Sequence, residues 1–383
     1  MNMDETLEHY IERQYKHSIH MKNITKGKKM NNFKKIGVTA LAGSLAMVSA
    51  NAIEYTMSGG MLTTYTQANS DTATITTDSG TGFGTATDLG FTANGELDNG
   101  FTVKYFMSVD TNAALANTSS QMTVGMGELG TLQLNNIAGS KANGIDDIIP
   151  AAYNETWDGL SASSTLNNGS FFGSHTGSGS IDYRIPAQEY SGVTVNASIT
   201  FDPNAGVGAP AKAGVAASSA PTGMAYTLQL AHESGLEVGA GYETVETLSS
   251  AEGAEGVNTV TGYVKYAMGG ISVAYQESFL DNESRNEEGV AVAVGIADKD
   301  KASKMMGVAY TSGDITLSYG ESTVDISASS NVAKLETIKL QSLQAAYVMG
   351  AMTVSAAMSE TDNSAGILND KYSENTLAVS FAF

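Results

Sequence analysis

The residues that most constrain this chain are its last eleven, Ser373 to Phe383. In Leu377-Ala378-Val379-Ser380-Phe381-Ala382-Phe383 the large apolar side chains fall on every second position, with Ala or Ser between them. A strand of this pattern offers one face to lipid and the other to a lumen. An open edge ending on Phe-Ala-Phe would invite aggregation unless it were paired. The expectation is therefore the closing strand of a transmembrane antiparallel β-barrel, paired with a first strand running from Ile53 to Gln67. The edge strand of a soluble sandwich is the competing reading.

Composition narrows the choice. The 383 residues include 41 Gly and 5 Pro, and only 16 % are charged. Ser, Thr, Ala and Gly separate short apolar alternations, which suits many strands and turns better than a helical protein. No stretch offers the roughly 18 uninterrupted apolar residues of a transmembrane helix. A chain of this kind that spans a membrane does so as an all-β barrel.

The 20 Lys and Arg and 40 Asp and Glu give a formal charge of −20. Residues 1–52 hold eight of the basic and four of the acidic groups, so the remainder carries 12 against 36, or −24. Phosphate binding needs the opposite sign, which argues against nucleic acid as a partner. There is no cysteine, and hence no disulfide or thiolate metal site.

Met30 to Ala52 has a basic start with Lys34 and Lys35, an apolar segment from Ile36 to Val48, and Ala50-Asn51-Ala52 as an A-x-A cleavage signal. This order reads as a secretory signal peptide cleaved after Ala52, leaving a barrel over 53–383. Residues 1–29 are polar, Lys- and His-rich and unlike anything downstream. They read as an extension outside the fold, with Met30 or Met21 as the start.

From Ile53 onward, alternating segments come in pairs joined by short turns. Thr85 to Leu97 and Phe101 to Val109 flank Asp98-Asn99-Gly100, a strong hairpin signal. Further pairs are Gln121 to Met126 with Thr131 to Asn135, Gly179 to Ile185 with Gly192 to Thr200, and Gly223 to His232 with Leu236 to Thr244. The rest are Asn258 to Ala267 with Ile271 to Ser278, Lys304 to Thr311 with Asp314 to Gly320, and Thr337 to Val348 with Met352 to Ser359. Seven hairpins plus the first and last strands predict about sixteen strands. An even count, short turns on one side and long loops opposite suit an outer-membrane barrel. Sixteen strands are also wide enough to leave an aqueous channel. Lys104, Arg184 and Lys265 fall out of phase with the apolar set and should face that lumen.

The longest connection, Asn136 to Ser178, carries Asp146, Asp147, Glu155 and Asp158 with the single Trp157. So long a loop usually has a task. Folded into the barrel it would narrow the pore, and its carboxylates would then lie within a Debye length, about 8 Å, of passing ions. A solvated external loop is the alternative.

The signal peptide, the opening Ile53-Glu54-Tyr55-Thr56-Met57-Ser58-Gly59-Gly60, the Gly127-Glu128-Leu129-Gly130-Thr131-Leu132 turn and the terminal Phe383 together resemble the 16-stranded general porins of Gram-negative outer membranes, especially the alphaproteobacterial type. Ser180-Ile181-Asp182-Tyr183-Arg184-Ile185-Pro186, with Tyr190-Ser191-Gly192-Val193, is similar to that family's strand after the constriction loop. The likeness covers Ile53 to Phe383. It implies a homotrimer in the bacterial outer membrane, amid lipid and lipopolysaccharide. It also implies a pore-restricting third loop, passage of small ions and solutes, and recognition of Phe383 by the barrel-assembly machinery. Such porins usually set several arginines against the loop carboxylates, whereas here only Arg184 and Arg285 lie beyond the signal peptide. A mainly acidic, cation-preferring eyelet is therefore expected.

Catalysis has little support. Only His175 and His232 lie beyond the signal peptide, and there is no H-E-x-x-H motif and no G-x-S-x-G elbow. Gly125-Met126-Gly127-Glu128-Leu129-Gly130 matches G-x-G-x-x-G but joins two strands, so it reads as a turn. No cofactor is expected. Asp281, Glu283, Glu287 and Glu288 supply oxygens for Ca²⁺, but without the spacing of a calcium loop. A substrate-specific channel and a secreted β-rich adhesin remain as alternative functions.

Overall fold

The computed structural model describes residues 53–71, 79–110, 116–137, 139–160, 167–174, 176, 179–203, 205, 221–246, 256–282, 300–327 and 335–383. Their strands are β1 (Glu54–Ser70), β2 (Gly80–Glu96), β3 (Thr102–Asp110), β4 (Ala116–Gly125), β5 (Thr131–Ile137), β6 (Ile181–Arg184), β7 (Gln188–Tyr190) and β8 (Val193–Asp202). They continue as β9 (Gly223–His232), β10 (Leu236–Val245), β11 (Val257–Met268), β12 (Ile271–Asn282), β13 (Lys301–Ser312), β14 (Ile315–Ile326), β15 (Ile338–Met349), β16 (Met352–Asp362) and β17 (Lys371–Ala382). Every pairing is antiparallel and, apart from β6 with β8, joins sequence neighbours; β1 also pairs with β17, so the sheet closes. Because β6 and β7 both pair with β8, they are two halves of one strand, and the barrel has sixteen.

Closure rests on the C-terminal strand, as the sequence suggested. Eleven residue pairs join β1 to β17, from Gly60↔Ala382 to Ser70↔Tyr372. The Phe383 N–H donates to Gly59 O at 2.9 Å and the Gly59 N–H donates to Phe383 O at 2.8 Å. A Cβ on Gly59 would stand 2.4 Å from the Phe383 ring, so the bare glycine is what lets the ring lie on β1.

Two expectations need correction. The stretch Pro186 to Ser191 is not one connection. Pro186 has no N–H to give the ladder, so β6 stops at Arg184, but pairing resumes at Gln188 and the turn shrinks to Ser191-Gly192. Both residues have positive φ, 50° and 80°, as a tight hairpin of this hand requires. The strands also run further toward the long loops than the alternation indicated: β2 begins at Gly80, β4 at Ala116 and β14 ends at Ile326. Beyond the apolar band both faces are polar or small, so a period-2 hydrophobic signal fades while the ladder continues.

Alternation does assign the faces. Tyr105, Leu228, Val273, Tyr275, Leu317 and Tyr319 are exposed on the outer wall. Their strand neighbours Gln276, Ser278 and Ser318 are buried inside. Gly125 to Gly130 is a turn, with a 3₁₀ segment over Gly127–Leu129 between β4 and β5. The residues expected to form a signal peptide, with Ala50 and Ala52, together with His175, Glu283, Arg285, Glu287 and Glu288, lie outside the described residues. Of the calcium candidates only Asp281, near the end of β12, is described.

Candidate pore constriction

The connection between β5 and β6 folds into the barrel, and what holds it is an apolar core that the sequence did not show. Ile149, Trp157, Leu160 and Phe171 of the loop pack with Met305, Val324, Ile326, Ile338, Leu340 and Tyr372, which point inward from β13, β14, β15 and β17. Ala142, Ile145 and Phe172 pack with Ala225 of β9 and Tyr263 of β11. Tyr153 meets Ala357 of β16 and Ala378 of β17. Each large side chain buried in this way is worth about 1.5–3 kcal/mol. Trp157, 3 % exposed, is thus a packing residue of the loop.

Three wall glycines make room for the loop. A Cβ would lie 2.3 Å from the Phe172 ring at Gly241, 2.6 Å from Ile149 at Gly307 and 2.3 Å from the Thr156 hydroxyl at Gly320.

Buried polar side chains of the wall then fix the loop backbone. Gln276 accepts from the Ile148 N–H at 3.0 Å and donates to the carbonyls of Ile145 and Asp146 at 2.9 and 3.0 Å. Gln344 accepts from the Tyr153 and Asn154 N–H groups and donates to Asn154 O at 2.7 Å. Ser318 accepts from the Ala152 N–H at 2.8 Å. Glu243, fully buried, accepts from the N–H groups of Gly173 and Thr176 and from the Thr176 hydroxyl, at 3.1, 2.8 and 2.9 Å. Amides and a carboxylate are used because a buried loop backbone needs partners that water would otherwise supply.

The candidate site residues divide. Asp146, Asp147 and Asp158 are half-buried on the loop. Each also holds a local turn: Asp146 accepts from the Asp147 N–H at 2.8 Å, Asp147 from the Ile149 N–H at 2.7 Å and Asp158 from the Glu155 N–H at 3.0 Å. Glu155 is 4 % exposed, so its carboxylate is buried and not open to the lumen. Arg184 is inward but engaged. Its Nε donates to Asp182 at 2.6 Å, where Asp182 is fully buried, and Nη2 donates to Gly139 O at the neck of the loop at 3.2 Å. Its charge is therefore offset locally, and it ties the wall to the loop. Lys265 lies inward in phase with Tyr263 and directly across from Glu237 of β10. Lys104 is half-buried on β3, opposite Asn94.

Sequence reading missed Lys141, which reaches from the loop neck into a cavity of about 190 Å³ beside Arg184, Asn196, Thr227 and Gln229. It also missed Asp88 and Asp110, directly paired across β2 and β3 and almost fully buried on the inner face. Strand parity could have found both aspartates. Glu374 of β17 reaches Gly159 of the loop, where a Cβ would stand 2.5 Å from its Oε1.

The sequence profile of the Gram-negative porins matches residues 37–325. The chain belongs to the Gram-negative porin family. It forms an outer-membrane channel for passive diffusion. Among curated protein sequences none matches it. Solved porins share the fold at low identity. A porin refined at 1.8 Å superimposes with a TM-score of 0.56 at 16 % identity, covering 86 % of this chain and 100 % of that one. OmpF of Salmonella typhi, in complex with daunomycin, gives 0.58 at 13 % identity over 86 % and 98 %. OmpT of Vibrio cholerae gives 0.55 at 13 % identity over 88 % and 100 %. In this porin the loop between β5 and β6 is the element that enters the channel.

Proposed function

We propose that this porin passes small hydrophilic solutes and ions without catalysis and prefers cations, its eyelet being set by Asp146, Asp147 and Asp158 on the inward loop. One observation carries the preference: Arg184 is already paired with Asp182, so the wall there adds little positive charge against the loop carboxylates. Lys104, Lys141, Lys265 and Lys301, the last over the Phe171 ring of the loop, are the other basic side chains described on the inner side. Residues 30–52 act as the export signal and are removed, and residues 1–29 take no part in the barrel. The exported chain works as a trimer among outer-membrane lipids after the assembly machinery has read Phe383.

The test is the reversal potential of the purified protein in a planar bilayer under a KCl gradient. A cation-selective sign is expected. The triple replacement Asp146→Asn, Asp147→Asn, Asp158→Asn is expected to move the potential toward zero while leaving discrete openings. Anion selectivity of the unmodified protein would overturn the charge assignment.

A further inference from the structure

The cavity beside Arg184 lies below the level at which the inward loop is seated. Gln276 and Gly320, which meet Asp146 and Thr156 of the loop, are each the sixth residue of their strands counted from the short turns. Arg184 stands opposite Ser198, the sixth residue of β8, and Ser198 stands opposite Thr227 of β9. From that row the cavity reaches down to Asn196 and Gln229, which face each other two residues nearer the short turns. In an outer-membrane barrel the short turns are periplasmic. The cavity thus sits on the periplasmic side of the loop neck, on the wall of β5 to β9, where a solute that has passed the loop carboxylates meets it.

Its lining selects a chemistry. Lys141 and Arg184 bring two positive charges, and among the described residues none that line the cavity is acidic. Arg184 is balanced by Asp182, and its contacts through Nε and Nη2 leave the two N–H donors of Nη1, which a carboxylate can accept. Lys141 adds a second positive charge, which suits one negative charge in the ligand better than two. The rest of the lining is built for hydroxyl groups. Asn196 offers an amide, Thr131 a hydroxyl, and Gln229, which gives an amide N–H to the Tyr263 hydroxyl at 2.8 Å, offers its carbonyl oxygen. At about 190 Å³ the space is smaller than the roughly 300–1,000 Å³ of pockets for drug-sized ligands, so the solute is small.

We propose that this cavity is a subsite for small hydroxy-carboxylates, with the carboxylate on Lys141 and Arg184 and the hydroxyls on Asn196 and Gln229. Asp146, Asp147 and Asp158 repel such anions, and a cationic subsite just beyond them holds a solute that bulk selectivity disfavours. The inference rests on the channel reading for the direction of passage, and it is independent of the cation preference.

The test is saturation-transfer NMR of the detergent-solubilised barrel titrated with gluconate, with sorbitol as its uncharged counterpart, and with inorganic phosphate. Gluconate is expected to bind at least about tenfold more tightly than sorbitol. Lys141→Gln should lose about tenfold or more, as expected for one hydrogen bond to a charged group, while Lys141→Arg retains binding. Asn196→Leu, a change on the wall and not on the loop, should weaken gluconate as well, and a heat-modifiable gel shift confirms that each barrel is folded. Absence of gluconate binding, equal binding of sorbitol, tighter binding of phosphate, or unchanged affinity in both Lys141→Gln and Asn196→Leu would overturn the proposal. Bilayer conductance in KCl reports separately on the channel. Discrete openings without gluconate binding would sink the subsite alone, and gluconate binding to a barrel that never conducts would sink the channel reading alone.

Discussion

Protein carrying Glu243→Ala together with Gln276→Ala is expected to show single-channel conductance well above that of the unmodified porin. Among the described residues Glu243 accepts from the N–H groups of Gly173 and Thr176, and Gln276 serves Ile145, Asp146 and Ile148 at the loop's other limb. Each buried group left without a partner costs about 1–3 kcal/mol. The loop can avoid that cost by leaving the wall for the water-filled lumen, which would relax the constriction. Glu243→Gln keeps one carbonyl acceptor and should have a smaller effect. Planar-bilayer conductance, with gel mobility after graded heating to follow barrel stability, reads both consequences. Unchanged conductance in the double variant would mean that apolar packing alone holds the loop.

A size exchange between Phe172 and Gly241 is expected to have the next largest effect. Phe172 is 1 % exposed, and three of its ring atoms lie within 2.8 Å of where a Cβ on Gly241 would stand. Phe172→Ala empties that space, at about 3–5 kcal/mol. Gly241→Val forces a β-branched side chain under a ring that has nowhere to move, at about 1–3 kcal/mol. Both should destabilise the loop and broaden the distribution of conductance levels. Combined, the two changes should cost clearly less than their sum, because residues in direct contact are not additive. Additive costs measured by thermal unfolding in detergent would show that the ring does not seat on this glycine.

Much of the barrel was legible because its physics is local. The period of two in Leu377 to Phe383, in Ile271 to Tyr275 and in Ile315 to Tyr319 marks a strand with one face in lipid. Asn99-Gly100 and Gly313 mark the turns. Arg184 and Lys265 lie on the inner face, out of phase with the outward apolar set. The candidate site was only half legible. Asp146, Asp147 and Asp158 do ride on the inward loop, but Glu155 is buried and Arg184 is engaged by Asp182.

The reason is that the loop's surroundings are assembled from distant sequence. Nothing near Met305, Val324, Ile338 or Leu340 announces that these inward residues will meet a loop more than 130 residues earlier in the chain. A glycine such as Gly241, isolated within a strand, looks like a weak point until Phe172 is seen against it. Sequence by itself determined the strands, their faces and the excess of negative charge. These follow from side-chain period and composition, which any extended chain beside a membrane must obey. Only the tertiary structure decided which carboxylates face the lumen and which are spent as backbone acceptors. Those outcomes depend on register and on long-range burial, neither of which is written in any single stretch of the chain.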